Sequence, residues 1–299
     1  MNRNLKGSLI FLLTAIIWGA AFVTQKSGSE YVDPFTVDTI RSFLGAATLL
    51  PFIMRGRKKE KEAGTAADRK TVLTGGIVCG LGIFAGMTLQ QIGIMYTTAG
   101  KAGFLTTIYV VLVPILGLFI GKKIRPLMWL CVVLSIMGLY LLCADPGTFT
   151  IGKGDLIVIC SALGFSFQML AADYYTKRMD SIFLSFMQFL VCGILSLPLM
   201  LIFEHPTMSA ITACAPQLLY LGIMSSGIAY TLQIVGQQYA EPTVASLILS
   251  LESLFAALSG ALFLGETMTG REITGCALML AAAMMSQLPA SQGPAEDNI

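Results

Sequence analysis

The sequence TLQQIGIMY at residues 88–96 recurs as TLQIVGQQY at residues 231–239. Thr, Leu, Gln, Gly and Tyr hold the same places in both stretches, and a later glycine follows each copy at the same spacing, Gly117 in the first and Gly260 in the second. Each matched residue of the second copy lies 143 positions after its counterpart. Unrelated apolar segments would not align on so many residues at one offset, so the chain is predicted to contain an internal duplication.

Composition indicates the class of protein. Of 299 residues, 55% are hydrophobic and only 12% are charged, and the mean hydropathy is +0.76. Soluble domains have about twice this charged fraction, so we predict a polytopic membrane protein. The cysteines are scattered through apolar stretches without a CxxC pattern, and the one histidine, His205, stands beside Pro206. No disulfide framework, metal site or cofactor is therefore expected.

Ten stretches are long and apolar enough to be predicted as membrane-spanning helices. Turn-forming pairs such as Asp33-Pro34 and Glu241-Pro242 separate them. The predicted helices cover residues 7–26, 34–54, 72–94, 99–121, 126–143, 154–175, 181–203, 214–236, 240–264 and 270–288. The fold class is accordingly all-α. The polar residues 291–299 are predicted to form a disordered tail.

Lysine and arginine residues predict the orientation in the membrane. If the N-terminus lies in the cytoplasm, fourteen of the nineteen fall on the cytoplasmic side, four fall outside, and Arg41 lies within a helix. The largest cytoplasmic group is at residues 55–70. Positive residues favour the cytoplasmic side, so both termini are predicted to be cytoplasmic in a multi-pass protein of the cell (inner) membrane.

The orientation gives the duplication a functional meaning. Residues 1–146 would form a first half of five helices and residues 147–290 a second, and because five is odd the second half enters the membrane inverted. Inverted repeats build transporters that have two similar gates around a midplane site. The longest internal loop cannot hold an ATPase, and no GxxxxGK[ST] motif is present. The sequence thus predicts a secondary transporter working by alternating access, in which one half rocks or gates against the other.

Several motifs resemble those of EamA-type carriers in the drug/metabolite transporter superfamily. They are Ile17-Trp18-Gly19-Ala20-Ala21-Phe22, Arg41, residues 113–115 and 119–121, and residues 251–257 followed by Phe263-Leu264-Gly265-Glu266. The resemblance covers nearly the whole chain and implies ten helices in two inverted repeats and transport, commonly export, of small metabolites. Lys122 departs from the family pattern, which often has an acidic residue there, and Ser253 and Ala257 stand where proline is common.

Glu252 is the sharpest candidate for a functional residue. It lies near the middle of the ninth predicted helix, where a charge costs roughly 3 kcal/mol. It could carry a proton or recognise a cation; a structural carboxylate is the alternative. The duplication maps Glu252 onto Tyr109, whose hydroxyl and ring suit a substrate amine or ring, although a core aromatic is equally compatible. Thr106 shares a helix face with Tyr109 and completes this group.

Trp18 and Gln168 belong to the corresponding first and sixth helices and could line the same substrate site. Packing of Trp18 near an interface, and a bond between helices for Gln168, are the alternatives. Arg41 is three residues from Asp38, and a structural ion pair is favoured over substrate binding. Gln90 and Gln233 lie near helix ends, so structural bonding at the hairpin bases is favoured over a gate function.

We therefore expect a secondary transporter, acting as an exporter, of amino acids or related amines and carboxylates. Its partners would be the small-molecule substrate and the lipid bilayer, without nucleic acid, and the protein would be a monomer or a homodimer. Efflux of drugs or lipid-linked molecules by the same fold is the first alternative. An intramembrane enzyme lacks the expected cluster of His, Asp or Glu, and a non-transporting receptor has no need of two symmetric gates.

Overall fold

The computed structural model describes residues 3–63, 67–143, 151–264 and 269–288. All regular secondary structure in these ranges is helical. The predicted boundary between the halves after residue 146, Glu266, and the predicted tail at 291–299 lie outside the described residues. The helices are α1 Arg3–Gly28, α2 Pro34–Ala63, α3 Arg69–Met95, α4 Ala99–Thr106, α5 Tyr109–Phe119, α6 Pro126–Cys143, α7 Lys153–Tyr175, α8 Ser181–Phe203, α9 Met208–Ala213, α10 Ala215–Leu219, α11 Tyr230–Gly236, α12 Pro242–Leu249, α13 Glu252–Leu264 and α14 Gly270–Met285.

Seven helical segments in the described part of the chain are long and apolar enough to cross a membrane. They are Leu5–Gly28, Pro34–Arg55, Arg69–Met95, Ala99–Phe119, Lys153–Tyr175, Ser181–Phe203 and Ala215–Gly236. Two further apolar helical segments, Pro126–Leu142 and Pro242–Leu258, are shorter than these seven. Each of the ten predicted stretches contains helix, and the all-helical membrane class is as predicted.

Two of the predicted helices are interrupted instead of continuous. Thr107-Ile108 separates α4 from α5, and Ser250-Leu251 separates α12 from α13, so the second break lies 143 positions after the first. In each break the backbone makes tighter bonds to the third preceding residue, as in Ile108 N to Leu105 O and Leu251 N to Ile248 O. The side chains of Thr107 and Ser250 also donate to carbonyls of the preceding turn, which favours local irregularity.

A third irregularity joins α10 to α11. Residues Tyr220–Ala229 form a π-helix, in which the Tyr230 amide donates to the Ser225 carbonyl five residues earlier. Such wide turns are uncommon and occur frequently at functional sites. The side chains of Ser225 and Ser226 are buried, and each accepts a hydrogen bond from Arg41 of α2.

The most extensive helix contacts join the two sequence halves. Helix α3 packs along α7, α2 along α8, and α6 along α14. The α6–α14 contact brings backbones together, because a Cβ added to Gly275 would lie 2.5 Å from the carbonyl oxygen of Gly138. A Cβ on Gly164 of α7 would similarly lie 2.5 Å from the Gly86 amide nitrogen of α3. The halves therefore interleave, and rocking of two intact halves would separate backbones that are in close contact among the described residues.

Glu204 joins the end of α8 to the beginning of α2. Its carboxylate accepts the backbone amides of Phe35 at 2.7 Å and Thr36 at 2.6 Å, and the Thr36 hydroxyl at 2.8 Å. It thus satisfies donors that have no partner within the first turn of a helix. Burial raises the pKa of Glu204 despite these hydrogen bonds, which act in the opposite direction.

Candidate functional site

A small cavity of about 40 Å³ lies among α1, α2, α3, α7 and the broken and π-helical segments. All eight residues singled out from the sequence line it: Trp18, Arg41, Gln90, Thr106, Tyr109, Gln168, Gln233 and Glu252. The remaining lining residues are Ala21, Phe22, Gln25, Phe165, Met169, Ser225 and Tyr230. The cavity has room for roughly three water molecules. A substrate larger than that requires the surrounding helices to separate.

Tyr109 and Glu252 meet directly inside this cavity. The Tyr109 hydroxyl donates to Oε1 of Glu252 at 3.1 Å, and each residue is only 3% exposed. They are the first residues of α5 and α13, the helices that follow the two breaks. The breaks thus bring corresponding positions of the duplication together. The positive end of the α13 dipole also favours a carboxylate in the first turn.

Aromatic rings form one wall of the cavity. The rings of Trp18 and Tyr230 lie 4.5 Å apart between centroids, and Phe189 meets Tyr230 edge-on at 5.4 Å. The Nε1 donor of Trp18 is buried and finds no acceptor among the described residues. A buried donor without a partner is costly, so this N–H is available to an acceptor that enters the cavity.

Arg41 has partners that differ from the prediction. Its guanidinium donates from Nε to Ser226 at 3.2 Å, from one terminal nitrogen to Gln25 at 3.2 Å and from the other to Ser225 at 3.1 Å. The predicted ion pair with Asp38 is wrong as a direct contact. Because the π-helical segment and α1 supply the acceptors, the guanidinium is held at the cavity.

Two donors of Arg41 remain after these three bonds. A guanidinium has five N–H groups, so one on each terminal nitrogen is not used by the bonds described. Adjacent N–H groups of this kind bind a carboxylate in a bidentate manner. The cavity therefore contains a held cation with spare donors as well as the Glu252 carboxylate.

Glutamines occupy another side of the cavity. Gln90 donates to the Thr106 hydroxyl at 3.0 Å, and Gln233 donates to Gln168 at 3.2 Å. Gln168 in turn donates to Gln188 on α8 at 3.0 Å. Gln90 and Gln233 thus form bonds between helices, and they do so at the cavity, whereas the sequence predicted such bonding at the hairpin bases.

Several lining residues were missed from the sequence. Gln25 and the pair Ser225-Ser226 carried a detectable signal, because they are polar groups inside apolar helices. Phe165 and Tyr230 carried none, since aromatic residues are common in any membrane helix. No cluster of three potential metal ligands occurs among the described residues.

A larger groove of about 730 Å³ lies between α3, the end of α5 and α7, apart from the predicted residues. Apolar side chains such as Leu116, Phe167 and Leu170 line most of it. Asp173 is bound there by Lys122 at 2.5 Å and by Lys177 at 2.9 Å. Lys122, which departs from the family pattern, therefore has a structural partner in the other half of the chain.

Comparison with known proteins gives two family matches within the chain. The model of the EamA-like transporter family matches residues 5–144 and again residues 152–287. An uncharacterized transporter of Archaeoglobus fulgidus is 30% identical over 287 residues, which are 96% of this chain and 87% of that protein. The uncharacterized transporter YoaV of Bacillus subtilis is 23% identical over 94% of this chain and 96% of its own length.

Two further similarities concern a short segment and the fold. The threonine/homoserine exporter RhtA of Salmonella typhimurium is 32% identical over 76 residues, which are 25% of this chain and 26% of that protein. A protein of known crystal structure superposes with a TM-score of 0.76 and 18% identity, and the match covers 94% of this chain and 96% of the other. The latter similarity concerns the fold alone.

Proposed function

The chain belongs to the EamA-like transporter family, and we propose that it is a secondary exporter of amino acids or related amines and carboxylates. The observation that carries this proposal is the presence of Arg41 and Glu252 in one buried cavity. A zwitterion presents one charge of each sign and would satisfy both. The short similarity to a threonine/homoserine exporter supports the same substrate class.

The proposed mechanism assigns a role to each side of the cavity. The spare donors of Arg41 bind the substrate carboxylate, and Glu252 binds the ammonium group. Trp18 and Tyr230 contact the remainder of the substrate, with their ring faces favourable to a cation. Thr106, Gln168, Gln90 and Gln233 provide polar contacts around it.

Glu252 would also link export to proton movement. Its carboxylate binds either a proton or the substrate ammonium group, and the two compete for the same oxygen atoms. When the cavity faces outward, protonation of Glu252 releases the substrate; when it faces inward, substrate displaces the proton. Tyr109 holds the carboxylate by its hydroxyl and positions it for both partners. This exchange would let an inward proton gradient drive export.

The movement we propose is gating at the interrupted helices. The cavity is too small for an amino acid, and the interleaved packing opposes rocking of two intact halves. The breaks at Thr107-Ile108 and Ser250-Leu251 are discontinuities of the kind on which midplane transport sites are built. Turning of α4 and α5 on one side, and of α12 and α13 on the other, would open the cavity alternately.

The proposal includes the topology predicted above. Ten membrane helices would form two inverted repeats, residues 1–146 and 147–290, in the inner membrane with both termini cytoplasmic. Support comes from the two family matches, from the breaks placed 143 positions apart, and from the distribution of lysine and arginine.

Transport in proteoliposomes tests this function. Purified protein would be supplied with a panel of labelled amino acids, amines and carboxylates, with and without an imposed pH gradient. We expect gradient-driven movement of at least one zwitterionic amino acid. Glu252→Gln should abolish the response to the gradient, whereas Glu30→Gln, at an exposed position, should not. Normal, gradient-responsive transport by Glu252→Gln would show that the proton-carrier role is wrong.

The large groove favours one second candidate, the movement of amphipathic or lipid-linked molecules. Its apolar lining and ionic end match a molecule that has an acyl chain and a polar head. Ala171→Trp would fill this groove without touching the cavity. If the groove carries substrate, this variant stops transport of an amphipathic dye and spares amino-acid transport. Amino-acid transport without any dye movement in the wild type excludes the second candidate.

A further inference from the structure

A buried stripe of polar side chains lies between α2 and α8, outside the lining of the cavity. Asp38 and Ser42 stand four residues apart on α2, and Gln188, Cys192 and Ser196 stand four apart on α8. Residues at this spacing share one face of a helix. All five side chains are fully buried, and α2 and α8 pack along each other. The contact between the two helices therefore contains a continuous polar line.

Two atoms of this stripe, Oδ1 of Asp38 and Nε2 of Gln188, have no hydrogen-bond partner among the described residues. The hydroxyls of Ser42 and Ser196 have only the Cys192 thiol, a weak hydrogen-bonding group, as a partner. Buried polar atoms are nearly always satisfied, and an isolated one is costly. Two unpartnered atoms and two weakly bonded hydroxyls along one helix contact favour small polar molecules as additional partners. Water is the partner that fits both donors and acceptors at this spacing.

Asp38 is the one carboxylate in the stripe. Its other oxygen accepts a single bond, from the Thr88 hydroxyl at 2.9 Å. The Arg41 guanidinium is near enough to act on it electrostatically but donates elsewhere. The charged and titratable groups that face Asp38 from its own helix and from the helices around it are Arg41, Glu204, Cys192 and Tyr230. A carboxylate with one donor and a vacant oxygen is suited to accept a proton.

The stripe connects a surface to the transport cavity. At one end Glu204, directly after α8, binds Thr36 at the beginning of α2, two residues from Asp38. At the other end Gln188 is bonded to Gln168, which lines the cavity. From Gln188 on α8 to Glu204 directly after it, the two ends are about four and a half helical turns apart. In the proposed orientation the Glu204 end faces the outside.

We propose that the α2–α8 stripe is a hydrated proton path and that Asp38 is its proton acceptor, a second one in addition to Glu252. A proton from outside water adds to Oδ1 of the Asp38 carboxylate and gives the neutral acid. The proton then leaves Asp38 through the water of the stripe toward Gln188 and the cavity, and the carboxylate is restored. The role of Asp38 in coupling rests on the proposed transport function, whereas the existence of Asp38 as a proton-binding site does not.

Infrared difference spectroscopy tests the site without transport. Purified wild-type protein would be taken through a pH change, and the carbonyl stretch of protonated carboxylic acids recorded. We expect one pH-dependent band to disappear in Asp38→Asn and a different one in Glu252→Gln. Asp33→Asn, an exposed position beside α2, should retain both. An Asp38→Asn spectrum identical to that of the wild type would overturn the proposal.

Transport then tests the path. Asp38→Asn should retain exchange of labelled for unlabelled substrate without a gradient, and should lose pH-driven accumulation by roughly tenfold or more. Ser42→Ala with Ser196→Ala keeps the carboxylate and removes two water-binding groups, so it should slow the gradient-driven rate in a folded protein. Unchanged pH-driven accumulation in both variants would overturn the proposal. Absence of all exchange in the wild type would instead defeat the transport function, leaving the infrared result to decide the site.

Discussion

At the scale of single residues, the two opposite charges in the cavity differ in how they are held. Arg41 is fixed by three hydrogen bonds from residues of α1 and the π-helix, whereas Glu252 has the one described bond from Tyr109. A buried charge needs such partners because its hydration is lost. In the proposed mechanism Arg41 is therefore a preorganised binding group, and Glu252 is the more easily exchanged partner. This difference suits a rigid site for the substrate carboxylate at Arg41, opposite a site at Glu252 where a proton and the substrate ammonium group can exchange.

The first prediction concerns Arg41→Lys. Lysine keeps the charge but lacks the planar set of donors, so the bidentate contact with a substrate carboxylate is lost. A charged hydrogen bond contributes about 1.5–3 kcal/mol, and we expect KM for an amino acid to rise about tenfold or more. An amine that lacks the carboxylate should be transported with unchanged KM. Equal loss for both substrates in a proteoliposome assay would contradict this assignment of Arg41.

The second prediction concerns Glu204 and pH. Because burial raises its pKa, the folded protein holds this proton more tightly than the unfolded chain. The stability from this group is complete below the ordinary pKa of glutamate and declines as pH rises through the raised pKa. Thermal unfolding of the wild type and of Glu204→Gln should therefore diverge with pH: the wild type loses stability relative to the variant as pH rises. A difference between the two that stays constant from acid to neutral pH would refute this.

At the scale of helices, the sequence predicts where segments run but not where they break. Apolar length and turn-forming pairs placed all ten stretches on helices. The breaks at Thr107-Ile108 and Ser250-Leu251 contain neither proline nor glycine, so neither of the residues that usually interrupt a helix predicts them. They depend on side-chain hydroxyls that bond to the backbone and to each other across the fold, such as Thr107 with Ser253. Such partners become visible only after the helices are packed.

The third prediction tests the closest helix contact. In Gly275→Ala the new methyl group would meet the Gly138 carbonyl oxygen at 2.5 Å, so α6 and α14 must move apart. Overpacking of this kind costs about 1–3 kcal/mol. Gly270→Ala, on the same helix, meets no atom within 4 Å and provides the matched control. We expect a lower unfolding midpoint for the first variant only; equal midpoints would mean that this contact is not tightly packed.

At the scale of the whole molecule, the duplication was sufficient to relate two residues that meet in the cavity. The offset identified Tyr109 as the counterpart of Glu252, and the two residues are in contact. The arrangement of the halves was not predictable in the same way, because the offset relates positions in the chain and says nothing of which faces pack together. The interfaces that join α2 to α8, α3 to α7 and α6 to α14 all cross between the halves. Motion in such an interleaved structure is expected at the breaks, where regular helix bonding is already interrupted.

The fourth prediction is a reversible lock across the two breaks. The hydroxyls of Thr107 and Ser253 lie 3.1 Å apart, which is close enough for a pair of cysteines at these positions to form a disulfide. In a background without the seven native cysteines, Thr107→Cys with Ser253→Cys should stop transport on oxidation and recover it on reduction. The crosslink would tie the break after α4 to α13, so the cavity could not widen toward either side.

A second crosslink separates this gating motion from a general effect of disulfides. Thr176 and Ser181 are in side-chain contact at the turn between α7 and α8, which has no part in the proposed gates. Thr176→Cys with Ser181→Cys should crosslink as readily and leave transport intact. Full transport by the oxidised 107–253 pair would exclude gating at the breaks. Loss of transport in both oxidised pairs would show that the essential motion includes the α7–α8 turn. That result would contradict the gating mechanism, in which this turn stays fixed.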